Sequence, residues 1–185
     1  PAVAADGVDF VMLRLGYRGY GSAGSLNLDE KFLVNARAAA AAGLKVGVYF
    51  FSQAVSTAEA QEEADFVLSY LKGLDITFPV AFDWELPGSY ARTANVDVDT
   101  LTACANVFCG AVKAAGYTPL IYCRDYEAYV RYDLSLLTAW DIWYAQYAAA
   151  PSFRYRMTMW QYSDQGSVKG IDGRVDMDLC FADYN

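Results

Sequence analysis

The chain has 185 residues, of which 55% are hydrophobic and 19% charged, a balance that fits one globular domain with a sizeable core and excludes a disordered segment. Its net charge of −8 argues against nucleic acid and anionic membrane surfaces as partners, because phosphates call for clustered Lys and Arg. It has no histidine, which removes His-dependent triads, His metal ligands and imidazole pH switches and leaves acid–base work to Asp, Glu, Tyr or Lys.

Residues 8–15 form an apolar run that reads as a buried strand closed by Gly16, followed by a Gly/Ser-rich loop over 17–25. Asn27 with Glu30 predicts a capped helix whose apolar face carries Phe32, Leu33, Ala36, Ala39 and Ala40, ended by Gly43. Residues 45–51 are the next strand. Ser56 and Glu59 make a second capping box, and Ala60, Ala64, Val67 and Leu71 share one face of the helix that Gly73 stops. A strand over 78–85 follows, then a loop over 86–97, long enough to suggest a functional role. A third helix spans about 98–115, a fourth strand 118–123, and a less regular helical or loop segment 125–138. Strands over 141–145, 157–162 and 175–181 close the chain without clear helices between them.

Seven strands are counted, alternating with helices at first and then alone. This rhythm predicts an α/β fold with a parallel sheet in a single domain over 1–185, as a (β/α) barrel or a doubly wound sheet. Both architectures put chemistry at the carboxyl ends of strands. No apolar run is long enough to span a bilayer and no signal peptide is visible near Pro1. The chain does not begin with Met, so a processed form or an excised segment is expected. Cys104, Cys109, Cys123 and Cys180 include no C-x-x-C pair, so no zinc site is expected. Buried free thiols are the expected state, with a Cys123–Cys180 bridge as the alternative.

The strand over 78–85 ends in Asp83-Trp84-Glu85. On a strand, Asp83 and Glu85 share a face and Trp84 takes the other, with the acids' Cα atoms about 6.6 Å apart, two strand rises. Two carboxyls that close raise one another's pKa, as suits a proton donor beside a charged partner. The structural alternative is a solvated strand end. Fifteen Tyr and ten Phe supply flat apolar faces with polar tips, suited to sugars or to the core.

The motifs Arg14-Leu-Gly-Tyr17, Gly47-Val-Tyr-Phe-Phe-Ser52, Phe78-Pro-Val-Ala-Phe-Asp-Trp-Glu85, Trp143-Tyr-Ala-Gln-Tyr147, Met159-Trp-Gln-Tyr162 and Gly170-Ile-Asp-Gly-Arg-Val-Asp-Met-Asp178 occur in that order. As a set, over essentially the whole chain, they resemble glycoside hydrolase family 25, the N-acetylmuramidase lysozymes. The resemblance implies a modified TIM-like (β/α)5(β)3 barrel. It implies hydrolysis of the β-1,4 bond between N-acetylmuramic acid and N-acetylglucosamine in peptidoglycan, without metal or organic cofactor. Glu85 matches the general acid and Asp83 its assisting carboxylate. Asp176 matches the acid of the last strand, with Asp178 as a rival on the same face. Tyr49, Tyr122, Tyr147 and Gln161 match the sugar groove. Arg14, at a strand end, joins the substrate-binding candidates, with an ion-pair role as its structural alternative.

The family pattern opens with a strand carrying an Asp, and nothing like it precedes Val8, so the barrel is expected to lack its first strand here. A monomer acting outside the cell or at the wall is expected, from the place of the substrate. The rivals are a barrel that binds amino-sugar polymer without cutting it and a glycosidase of the same fold acting on another polysaccharide.

Overall fold

A computed structural model of the protein describes residues 1–184. Its eight strands are β1 (Phe10–Arg18), β2 (Leu26–Leu28), β3 (Lys45–Ser52), β4 (Val80–Trp84), β5 (Pro119–Arg124), β6 (Asp141–Ala145), β7 (Met159–Gly166) and β8 (Val175–Cys180). They form one sheet in the order β2-β1-β3-β4-β5-β6-β7-β8. The run from β1 through β7 is parallel, while β2 and β8 lie antiparallel to their neighbours at the two ends. Helices α1 (Ala2–Ala5), α2 (Phe32–Ala41), α3 (Thr57–Leu71) and α4 (Val98–Ala114) complete the regular elements, with a π-helical turn over Glu127–Arg131 and a 3₁₀ turn over Leu134–Leu136 after β5. The α/β sheet curls into an open half-barrel of the modified TIM-like kind. Among the described residues, β1 and β8 are not paired with one another.

Alternation along the strands divides the core in two. Val80, Phe82 and Trp84 of β4 join Val46, Val48 and Phe50 of β3 against the helices, meeting Ala60, Ala64, Val67 and Leu71 of α3 and Leu101, Phe108 and Val112 of α4. Ala81 points the other way, into a smaller inner cluster with Phe78, Leu120, Tyr122, Trp143 and Met159. Cys123 belongs to the outer cluster, whereas Cys180 packs on the inner one. All four cysteines are free, which removes the bridge alternative.

Two expectations need correcting. The segment around Asn27 is the short strand β2, not a helix cap, and it brings the strand count to eight. Asn27 Nδ2 donates to the carbonyl of Ser25 at 2.8 Å, and α2 starts only at Phe32. β2 crosses β1 so closely at Gly16 that a Cβ there would sit 2.2 Å from the Asn27 carbonyl oxygen. Glycine is required by that approach, not by the end of a strand. The second box is half-formed as expected: Ser56 Oγ accepts from the Glu59 N–H, but Glu59 reaches back to the N–H of Val55.

The long loop over 86–97 is fastened from behind. Arg92 donates to both carboxylate oxygens of Glu59, at 2.7 and 2.8 Å, and to the Gln53 carbonyl at 2.8 Å. Buried Arg18 ties β1 to α3 through Glu63 at 2.7 Å and the Glu59 carbonyl at 2.8 Å. These bonds set the height of the β3 and β4 ends, where the acids stand.

Candidate active site

β4 ends with Asp83 pointing into the half-barrel and Trp84 turned toward the helices, where its indole N–H donates to the Ala54 carbonyl at 3.2 Å. Glu85, just beyond the strand, lines the same cleft as Asp83. Fully buried Gln53 holds its main chain, since its side-chain amide donates to the Glu85 carbonyl at 2.9 Å and accepts from the Thr93 hydroxyl at 3.2 Å. The cleft, about 1140 Å³, runs between β1 and β8 and is also lined by Tyr49, Tyr122, Trp143, Gln161, Asp176 and Asp178.

Asp83 is buried, and its Oδ1 has no hydrogen-bond partner among the described residues. Burial first, then the charge of Glu85, pushes its carboxyl well above the ordinary range. Burial likewise raises Glu85, but the Arg124 guanidinium against its Oε2 pulls the other way. Both acids are therefore lifted, and the deeper one more strongly.

The tyrosines divide by depth. Tyr122 and Tyr147 both donate their hydroxyls to Gln161 Oε1, at 3.1 and 3.0 Å, so one buried amide oxygen gathers two rings. Tyr122 is buried against Trp143, whereas Tyr147 is half exposed at the rim. Tyr49 meets Trp143 edge to face, 6.1 Å between ring centroids, and burial raises its hydroxyl pKa. Asp176 is exposed on the cleft face of β8, near enough to raise Glu85. Arg14 is committed to Asp29, donating from Nε and Nη2 to Oδ2 at 2.9 and 2.7 Å. The fold thus gathers seven of the eight candidates in or beside one cleft, and the eighth, Arg14, pairs with Asp29 while its charge also reaches Tyr49 and Asp83.

Sequence reasoning passed over Arg124, Gln53 and Trp143. Arg124 had one available signal: it lies two residues beyond Tyr122, hence on the same strand face. Trp143 donates from Nε1 to Asp178 at 2.7 Å, and burial pushes Asp178 up to about 7 despite that bond. A carboxyl raised on folding holds its proton more tightly folded than unfolded. Its stabilising contribution is full below its unfolded value and disappears as pH rises through about 7. Asp178→Asn keeps an acceptor for Trp143 and removes the charge. It is expected to raise Tm at pH 8 by about 5 °C and to flatten the fall of Tm from pH 4 to 8. Thermal melts across that range check this, and an unchanged curve rejects it.

Comparison with known proteins bears on the family and the fold. The chain is 27% identical over 139 residues to an autolytic lysozyme of Clostridium acetobutylicum, an alignment covering 74% of this chain and 40% of that protein. It superposes on the modular autolysin LytC of Streptococcus pneumoniae with a TM-score of 0.79 and 27% identity, over 96% of this chain and 42% of that one. LytC has also been solved in complex with a synthetic peptidoglycan ligand. The fold matches a bacterial lysozyme of Streptomyces coelicolor with a TM-score of 0.79 at 22% identity, over 98% of this chain and 85% of that one. The chain spans about two fifths of the length of the clostridial lysozyme and of LytC. The model of glycosyl hydrolases family 25 matches residues 2–171, and with the acids of β4 opening into one cleft of this half-barrel, the chain belongs to that family.

Proposed function

We propose that the protein hydrolyses the β-1,4 bond between N-acetylmuramic acid and N-acetylglucosamine in peptidoglycan, with Glu85 as general acid and Asp83 as its assistant. The observation that carries this reading is the shared opening of Asp83 and Glu85 into a cleft lined by Tyr49, Tyr122, Gln161 and Asp176, in a member of a glycosidase family. The autolytic lysozyme among its relatives, and the peptidoglycan ligand bound by LytC, support the choice of substrate.

Two acids on one strand cannot stand on opposite sides of a glycosidic bond, so the substrate supplies the nucleophile. Glu85 gives its proton to the glycosidic oxygen as the bond from that oxygen to C1 breaks. The carbonyl oxygen of the sugar's own N-acetyl group bonds to C1, forming a cyclic oxazolinium. Asp83 faces the N–H of that group and takes up its positive charge. Glu85, now a carboxylate, removes a proton from water as the water oxygen attacks C1 and the acetamido oxygen leaves. Two displacements at one carbon retain its configuration. Tyr122 and Tyr147, gathered by Gln161, offer sugar-facing rings, and Asp176 offers an acceptor for sugar hydroxyls on the opposite wall. No helix among the described residues is long and apolar enough to cross a membrane. The protein acts as a monomer at the wall or outside the cell, where this substrate lies.

The test is the identity of the new chain ends. Purified peptidoglycan is digested, reduced with borohydride and hydrolysed to its amino sugars. Reduced muramic acid is the expected product, with the first-formed anomer retained. Reduced glucosamine would assign the cut to the other bond, and binding without new reducing ends would make the protein a wall-binding module.

A further inference from the structure

The buried chemistry beside Glu85 holds one cation for two seats. Arg124, the last residue of β5, has a half-exposed side chain whose Nη2 contacts Glu85 Oε2. Its Nε lies 3.9 Å from Oε2 of Glu127, one turn on. Glu127 is buried, and that Oε2 has no hydrogen-bond partner among the described residues. A buried carboxylate left without a partner is costly, and a guanidinium offers five donors that one carboxylate does not use up. Glu85 Oε2 is also the atom the glycosidic oxygen must approach if Glu85 is the acid. The cation has to leave that atom for the reaction to start, and the orphan oxygen of Glu127 lies within a small rotation of the side chain.

We propose that Arg124 is a positioning residue with two seats, Glu85 and Glu127, and that a bound glycan moves it from the first to the second. The inference rests on the assignment of Glu85 as acid. On the first seat the cation covers the acid and favours its charged form; on the second it faces Glu127 and leaves Glu85 free to carry its proton. The groups facing Glu85 are Asp83 on its own strand, Arg124 and Tyr122 on β5, Glu127 on the π-helical turn, Asp176 on β8 and Tyr147 after β6. Among the described residues Arg124 is the one cation facing Glu85 itself, while Arg14 acts on Asp83, so the seat of Arg124 tunes how strongly Glu85 holds its proton.

The test combines Arg124→Gln, Glu127→Gln and the double variant with two readouts. One is the pH profile of kcat and kcat/KM on purified peptidoglycan; the other is an NMR titration of the Glu85 carboxyl in the glycan-free protein. Arg124→Gln is expected to raise the Glu85 titration, and with it the alkaline limb of kcat/KM, by about one pH unit, and to move the limb of kcat less. Glu127→Gln removes the second seat. It is expected to lower the Glu85 titration and to reduce kcat about tenfold. In the double variant the loss of kcat caused by Glu127→Gln disappears, because the cation it seats is gone, whereas the direct charge effect of Glu127 on the Glu85 titration persists. Persistence of that kcat loss in the double variant, or an unmoved Glu85 titration in Arg124→Gln, overturns the proposal. The titration needs no turnover, so an unmoved Glu85 overturns the two-seat inference even if peptidoglycan is not cut, an outcome that would instead refute the muramidase reading.

Discussion

Glu85→Gln is expected to lower kcat on peptidoglycan by about 10²–10⁴-fold, the usual contribution of a positioned general acid, while KM changes little. The amide keeps the shape of the side chain and cannot release a proton to the glycosidic oxygen. Its main chain stays fixed, because the buried Gln53 amide holds the Glu85 carbonyl and not the carboxylate. The fold should therefore survive, with Tm within a few degrees of wild type. Asp83→Asn provides the contrast. Asp83 lies deeper and in the proposed reaction assists without donating to the leaving oxygen, so its loss should cost less, about 10–100-fold. Turbidity clearing and reducing-end release, each measured on purified walls across pH 4–8, check both variants. Equal clearing by wild type and Glu85→Gln would remove the acid from its assigned role.

The sheet was legible where periodicity and punctuation agree. The alternation of Val80, Phe82 and Trp84 against Ala81 and Asp83 is what divides outer from inner core, and it can be read from the residues alone. Helices α3 and α4 follow their apolar stripes, and β6 spans Asp141–Ala145 around the apolar run that begins at Ile142. The segment around Asn27 misled because a capping-box spacing is a local signal. The competing interaction, pairing of β2 across Gly16, joins residues about ten positions apart through a close main-chain approach that no local pattern displays. Arg14 reads equally as ion-pair partner or sugar contact, and the ion pair it makes is with Asp29, 15 residues away. Arg124 was overlooked for the same reason: a charged residue at a strand end is ordinary until its partner, 39 residues earlier, turns out to be Glu85. Residue types and faces are written locally, while pairings of charge are written by the closing of the sheet.

A chain extended at its amino terminus by a strand of about six residues ending in Asp is expected to gain both stability and activity. The argument starts from the edges. β1 bonds β3 on one side along Phe10–Tyr17 and meets β2 on the other only at Gly16–Arg18. β8 bonds β7 on one side. Between the amino-terminal part of β1 and β8 runs the cleft, walled by Phe10, Met12, Met177 and Leu179, with the acids at one end. Unpaired edges facing each other across a groove favour strand addition, and until filled they favour aggregation. A strand there would satisfy main-chain groups of both neighbours and bury apolar side chains on the inner cluster. A net gain of about 2–3 kcal/mol would raise Tm by about 5–10 °C in a domain of this size. Its terminal Asp would come up between Asp176 and Asp83 and add an acceptor to the sugar groove, for which a tenfold rise in kcat/KM is a reasonable scale. Two companion extensions separate the effects. Asn in place of the Asp should keep the gain in Tm and lose the gain in activity, whereas Pro at two central positions, which removes ladder donors, should lose both. Should the Asp-bearing extension change neither Tm nor kcat/KM, the half-barrel needs no further strand and the cleft between β1 and β8 belongs to the glycan alone.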